Sequence, residues 1–139
     1  MGLPGSGKTT LARELAYHFL IPHHNADTYR EYNDDWDFTE MGRARQARRM
    51  STQWGILDFV CPTEMLRKIT NPTHIIWMDT IPSGRFEDTN RLFEQPQSFD
   101  YRITEWITQN QLRKCLEDFN PGMKGIQSFL SECMPKLVK

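Results

Sequence analysis

Apolar side chains recur at Leu11, Ala12, Leu15, Ala16, Phe19 and Leu20. That spacing predicts a helix over residues 8–20, ended by Pro22. A short extended piece through His24 and Asn25 leads to Asp27, and the turn formers of NDDWDFT read as a loop. Met41, Ala44, Ala47, Met50 and Trp54 mark one face of a second helix. GILDFV, stopped by Pro62, and HIIWM are short apolar runs that read as buried strands. Between them, residues 64–69 suit a short helix, and Asn71-Pro72 a turn. Residues 82–99 show little periodicity and much Pro, Ser, Gly, Asp, Asn and Gln, which predicts a mobile segment. Tyr101, Ile103 and Ile107 alternate as a last strand. Leu112, Cys115, Leu116 and Phe119 mark a helix that Asn120-Pro121-Gly122 breaks, and Ile126, Phe129, Leu130 and Cys133 mark another. Strands alternating with helices predict one α/β domain over residues 1–139, with a mostly parallel central sheet between helical layers. The chain has no internal repeat and no low-complexity tract.

Composition adds exclusions. The 139 residues are 38% hydrophobic and 25% charged, with a formal net charge of −1. Such a chain has no global field to attract nucleic acid or an anionic membrane. No run of 18 apolar residues is present, so no membrane span is expected. Cys61, Cys115 and Cys133 form no CxxC. An odd count without a secretion signal in the chain points to reduced thiols and a cytoplasmic protein.

Residues 2–9, GLPGSGKT, match G-x-x-x-x-G-K-[ST]. By composition the pattern arises by chance at roughly 4 per 100,000 positions, so a fortuitous match in a chain this short is improbable. The glycines let the backbone curl until several N–H groups point at one anion, and the helix that follows adds its positive end. Gly2, Leu3, Pro4, Gly5, Ser6, Gly7, Lys8, Thr9 and Thr10 are therefore the expected phosphate-binding residues for ATP or GTP. Lys8 is placed to reach the β- and γ-phosphates, and the Thr9 hydroxyl to ligate Mg²⁺. In folds of this kind the strand before the loop is central, buried on both faces, and carries about five apolar residues. Met1 is then expected to be the last residue of a first strand that is truncated here.

Asp27 follows the second extended piece and precedes Arg30 by three residues. A carboxylate there suits proton abstraction from a hydroxyl, and an arginine beside it suits an anionic acceptor. The plainer alternative is an N-cap aspartate with a surface arginine. GRARQARRM holds four arginines in seven residues, Arg43 to Arg49. On a helix Arg43, Gln46, Ala47 and Met50 share one side, so Arg43 and Gln46 are pocket candidates, and Arg45, Arg48 and Arg49 point more the other way. Nucleic-acid binding is the rival use of the cluster, and no interleaved aromatic side chains support it.

GLPGSGKTTLA, NADTYR, DWDFTEMGRARQARRM and DFVCP together resemble the adenylylsulfate (APS) kinase family over about residues 1–95. That family's pattern runs from a P-loop through D-G-D-N-x-R, D-L-G-F-S and D-R-x-E-N-I-R-R to F-I-S-P. The resemblance places Asp27 on the catalytic base, Arg30 on a substrate-binding arginine and Phe38 on the aromatic ring that stacks on the substrate adenine. Arg43 and Gln46 fall on substrate-contacting residues, and Val60, Cys61 and Pro62 on the segment beside them. It implies phosphorylation of the 3′-hydroxyl of adenylylsulfate by ATP with Mg²⁺, and a small-molecule nucleotide substrate. Asn25 stands where the family has the first acid of its pair, and Gln46 stands for Asn. In the family's basic lid motif, Glu94 and Gln95 replace two cations, leaving Arg91 as the lid cation.

Two further readings stay open. NADTYR is also similar to the N-x-D-x-Y-R stretch of polynucleotide 5′-kinases, and the altered lid suits a non-catalytic nucleotide-binding module. Asp79 ends HIIWMD like a Walker B acid, with a structural or adenine-side role favoured; Asp58, after only two apolar residues, ranks lower as a metal ligand. His23-His24 lacks a third ligand for zinc. Trp36 and Trp54 read as packing or lid residues, with Trp36 also a candidate near the substrate. The oligomeric state is left open, a homodimer included.

Overall fold

A computed structural model of the chain describes residues 1–119 and 125–137, so the expected break at Asn120-Pro121-Gly122 lies outside them. The first apolar stripe becomes α1, Lys8–Phe19. It stops before Pro22 because Leu20 turns into the left-handed region (φ 54°) and its N–H bonds back to Ala16. The short strands follow where the apolar runs lie. β1 (His23–Asn25) pairs in parallel with β2 (Ile56–Asp58), and β3 (Ile76–Met78) in parallel with β4 (Tyr101–Ile103). Residues 1–2 lie between the two pairs. Gly2 bridges Met78 in parallel, the Met78 N–H donates to the Met1 carbonyl (2.8 Å), and the Gly2 N–H to that of Val60 (3.4 Å). Residues 1–2 thus run beside Met78, where the sequence expects the first strand to end.

Helices cover the strands in two groups. α1, α6 (Gln109–Asp118) and α7 (Ile126–Leu137) bury Leu11, Leu15, Leu112, Leu116, Phe129 and Met134 against Met78 and Ile103. α3 (Glu40–Ser51) and α4 (Glu64–Thr70) form a smaller cluster around Ala44, Ala47, Cys61 and Leu66. The buried stripe of α3 is narrower than the sequence suggests: Met50 is buried, but Met41 is 77% and Trp54 72% exposed. Two elements depart from expectation. α2 (Ala26–Asn33) forms directly after β1, capped by the Asn25 side chain, which accepts from the N–H groups of Asp27 and Thr28. Within residues 82–99, α5 (Glu87–Leu92) forms, with Thr89 buried on its inner side.

α1 is tied to α6 by one buried carboxylate. Glu14 accepts from Gln109 Nε2 (2.7 Å) and Arg113 Nη2 (3.1 Å). These bonds, Arg113's first, hold the Glu14 carboxyl below its ordinary range. A carboxyl whose folded value is depressed stabilises the fold above the ordinary glutamate value of about 4.3, and that contribution fades as pH falls through the folded value. Glu14→Gln is expected to lower the melting temperature at pH 7 and to lose most of that difference near pH 3. Equal differences at both pH values would remove the ionised carboxylate from the account.

Candidate active site

The cavity that matters, about 430 Å³, lies between the phosphate loop, α2, α3 and the segment that enters α5. Its lining includes Pro4, Gly5, Lys8 and Thr9 of the loop, Asp27, Arg30, Phe38, Arg43 and Gln46 from α2, α3 and the segment between them, and Val60, Cys61 and Pro62. The loop takes its shape from Gly5 (φ 87°) and Gly7 (φ 97°), backbone that side-chain-bearing residues rarely adopt. Thr80 Oγ1 donates to the Ser6 carbonyl (2.7 Å) and ties the loop to the end of β3.

Asp58 is the hub beside the loop. It is buried, and its Oδ2 accepts from Thr9 Oγ1 (2.8 Å) and Asn25 Nδ2 (3.0 Å) and meets His23 Nε2 at 3.1 Å. Asn25 and Asp58 are register partners across β1 and β2. A carboxylate, Asp58, thus stands beside Asn25 at the same level of the sheet, on the neighbouring strand. Burial holds the Lys8 ammonium below the usual lysine range; Asp58 and then Asp27 pull it back up, and Arg85 pushes it further down. Lys8 Nζ donates to the Leu3 carbonyl (3.1 Å), bent back over its own loop.

A second part of the lining is built from α2 and α3. Because Asn25 caps α2, the Asp27 side chain is released from the capping role and stands exposed on the cavity wall. Arg30 is buried; its Nη1 donates to the carbonyls of Asp35 (2.9 Å) and Asp37 (3.1 Å), and its guanidinium lies 4.3 Å from the Phe38 ring centre. Arg43, also buried, donates Nε to the Phe38 carbonyl (2.9 Å) and sits 5.3 Å from the same ring. Two guanidiniums thus lie close to the Phe38 ring, an arrangement favoured by the charge distribution of the ring. Burial lowers both arginines from their ordinary values. Gln46 lines the cavity, but its amide is engaged, Nε2 to the Ala26 carbonyl (2.8 Å) and Oε1 with Arg49 (3.2 Å). Arg45 and Arg49 pair with Asp35, each at 2.7 Å, and Arg48 is exposed. Cys61 is held at φ 47°, and burial pushes its thiol up to about 11, which leaves it a packing group rather than a nucleophile.

The lid arginine differs from the sequence expectation. Arg91 is 77% exposed, pairs with Glu87 (3.6 Å) across one turn of α5, and lies outside the cavity lining. Arg85 lines the cavity instead. Its backbone is brought there by Gly84, whose N–H and C=O are both bonded by the Asn90 side chain (2.7 and 2.8 Å) and which packs against the Pro4 carbonyl. Among the described residues no carboxylate pairs with Arg85 within ion-pair distance. Asp79, the Walker B look-alike, is spent on Arg102 (2.6 Å) and does not line the cavity.

No protein-family model matches the chain, and no curated protein matches it by sequence. Among solved structures it is similar to a cysteine-to-alanine mutant of the APS kinase CysC of Mycobacterium tuberculosis. The two share 20% identity and a TM-score of 0.61, over 85% of this chain and 91% of that one. The chain has an APS-kinase-like fold. Within that fold the loop and Asp27, Arg30, Phe38, Arg43 and Gln46, all singled out from the sequence, line one cavity. Asp58, ranked low from the sequence, and Arg85, for which no local pattern exists, line it too. No described helix is long and apolar enough to cross a membrane.

Proposed function

We propose that the chain is an ATP-dependent kinase that phosphorylates the 3′-hydroxyl of adenylylsulfate. One observation carries this reading: a phosphate loop and an acceptor-type wall of Asp27, Arg30, Phe38 and Arg43 share a single cavity. Loop amides, Lys8 and Arg85 supply positive potential at the phosphate end. Asp27 accepts the acceptor's hydroxyl proton; the acceptor oxygen forms a bond to the γ-phosphorus as the bond to the β–γ bridging oxygen breaks, and ADP departs. Arg30 and Arg43, both close to Phe38, offer two cations beside an aromatic ring, which suits an anionic nucleotide acceptor.

Thr9 and Asp58 are hard oxygen donors of the kind Mg²⁺ takes. No cluster of three or more His, Cys, Asp or Glu fit to hold a metal occurs among the described residues. When bound, Mg²⁺ would neutralise phosphate charge.

The test is transfer of label from γ-labelled ATP with Mg²⁺, offering adenylylsulfate and a 5′-hydroxyl oligonucleotide in separate reactions. Label on adenylylsulfate is the expected result. Label on the oligonucleotide alone would keep the loop and Asp27 but reject the acceptor. ATP bound without transfer to either would favour a nucleotide-binding module.

A further inference from the structure

Trp106 is more than half exposed, at 56%, yet its ring is not loose on the surface. Its Cη2 and Cζ3 lie 3.5 Å from the position a Cβ would take on Gly7, the last residue of the phosphate loop before α1. The segment that carries it is anchored on both sides. Ile103 before it is fully buried at the end of β4, Ile107 after it packs on the main core, and Thr108 caps α6 with a reciprocal bond from Gln111. The other tryptophans are used differently. Trp77 is buried and meets Phe99 and Arg102, Trp36 stands by Phe38 in the acceptor cavity, and Trp54 follows α3. Trp106 has no aromatic ring partner among the described residues.

Its location relative to the cavity gives it a use. Neither Gly7 nor Trp106 lines the acceptor cavity, although Pro4, Gly5, Lys8 and Thr9 do. A triphosphate cradled by the loop with its γ end toward Asp27 must carry its nucleoside out on the other side of the loop. Trp106 lies against Gly7, outside the cavity lining, and offers an exposed aromatic surface beside the phosphate-binding backbone. We infer that Trp106 is the stacking platform for the base of the bound nucleoside triphosphate. Stacking uses the flat face that every base has, so this platform adds affinity without choosing among bases. The inference rests on the phosphate-loop reading of the proposed function, and the experiment separates the two.

Binding of ATP and of inorganic tripolyphosphate, each with Mg²⁺, is measured by calorimetry on the parent chain, Trp106→Ala and Trp106→Phe. Trp106→Ala is expected to weaken ATP by about 5- to 150-fold, the range that base–aromatic stacking carries, and to leave tripolyphosphate nearly unchanged. Trp106→Phe is expected to recover most of the loss. Unchanged ATP affinity in Trp106→Ala, or equal losses for ATP and tripolyphosphate, would overturn the platform while the loop reading stands. A parent chain that binds neither compound would overturn the loop reading and the platform together.

Discussion

Arg85→Gln is expected to slow phosphoryl transfer by about 10³-fold or more while Arg91→Gln leaves it within about twofold, the contrast that an arginine on the transferring group produces in related chemistry. Lys8 and Arg85 line one cavity, and the Arg85 charge adds to the burial that disfavours the Lys8 ammonium. An anion lying between two cations relieves their repulsion, and in the proposed reaction the charge on the transferring phosphoryl group would be such an anion. Arg91 has no comparable demand on it: it is turned to solvent, and Glu87 already answers its charge. Because both arginines are exposed, neither substitution disturbs the core, so the comparison reads chemistry rather than folding. The check is kcat at saturating ATP and acceptor for the two variants side by side. A large loss on Arg91→Gln with none on Arg85→Gln would return the lid role to α5 and discard the geometry described above.

That reversal shows where sequence stops being informative. The phosphate loop, α1 and the strand runs GILDFV and HIIWM were legible because each is encoded locally, by glycine placement or by the period of its apolar residues. Arg43 and Gln46 were legible for the same reason, since helical spacing alone puts them on the side of Met50. α2 was not, because only Ala26 and Arg30 of its eight residues are buried and its formation rests on one capping bond set from Asn25. Asp58, ranked low from the sequence, is placed beside Asn25 by the β1–β2 register, a non-local fact. Arg85 depends on how Asn90 folds the Gly84 backbone toward Pro4, which no run of residues announces. Gln46 was placed correctly in the cavity wall, but its amide is engaged by Ala26 and Arg49, which spacing could not reveal.

Asp27→Asn is the second variant with a large expected effect: a drop in kcat of about 10²–10⁴-fold, the contribution of a positioned general base, with ATP affinity held within a few-fold. The substitution keeps size and shape and removes only the capacity to take a proton. Asp27 is exposed on the cavity wall and does not cap α2, because Asn25 does, so the helix survives the change. Asp58 is placed differently: its Oδ2 is engaged with Thr9 of the loop, Asn25 and His23. Single-turnover transfer with γ-labelled ATP, alongside calorimetric ATP binding, separates the two quantities. A parallel fall in both would mean that Asp27 acts through Lys8, whose charge it supports, and not on the acceptor. Unchanged turnover would remove Asp27 from the mechanism and leave the acceptor hydroxyl to lose its proton without help from this residue.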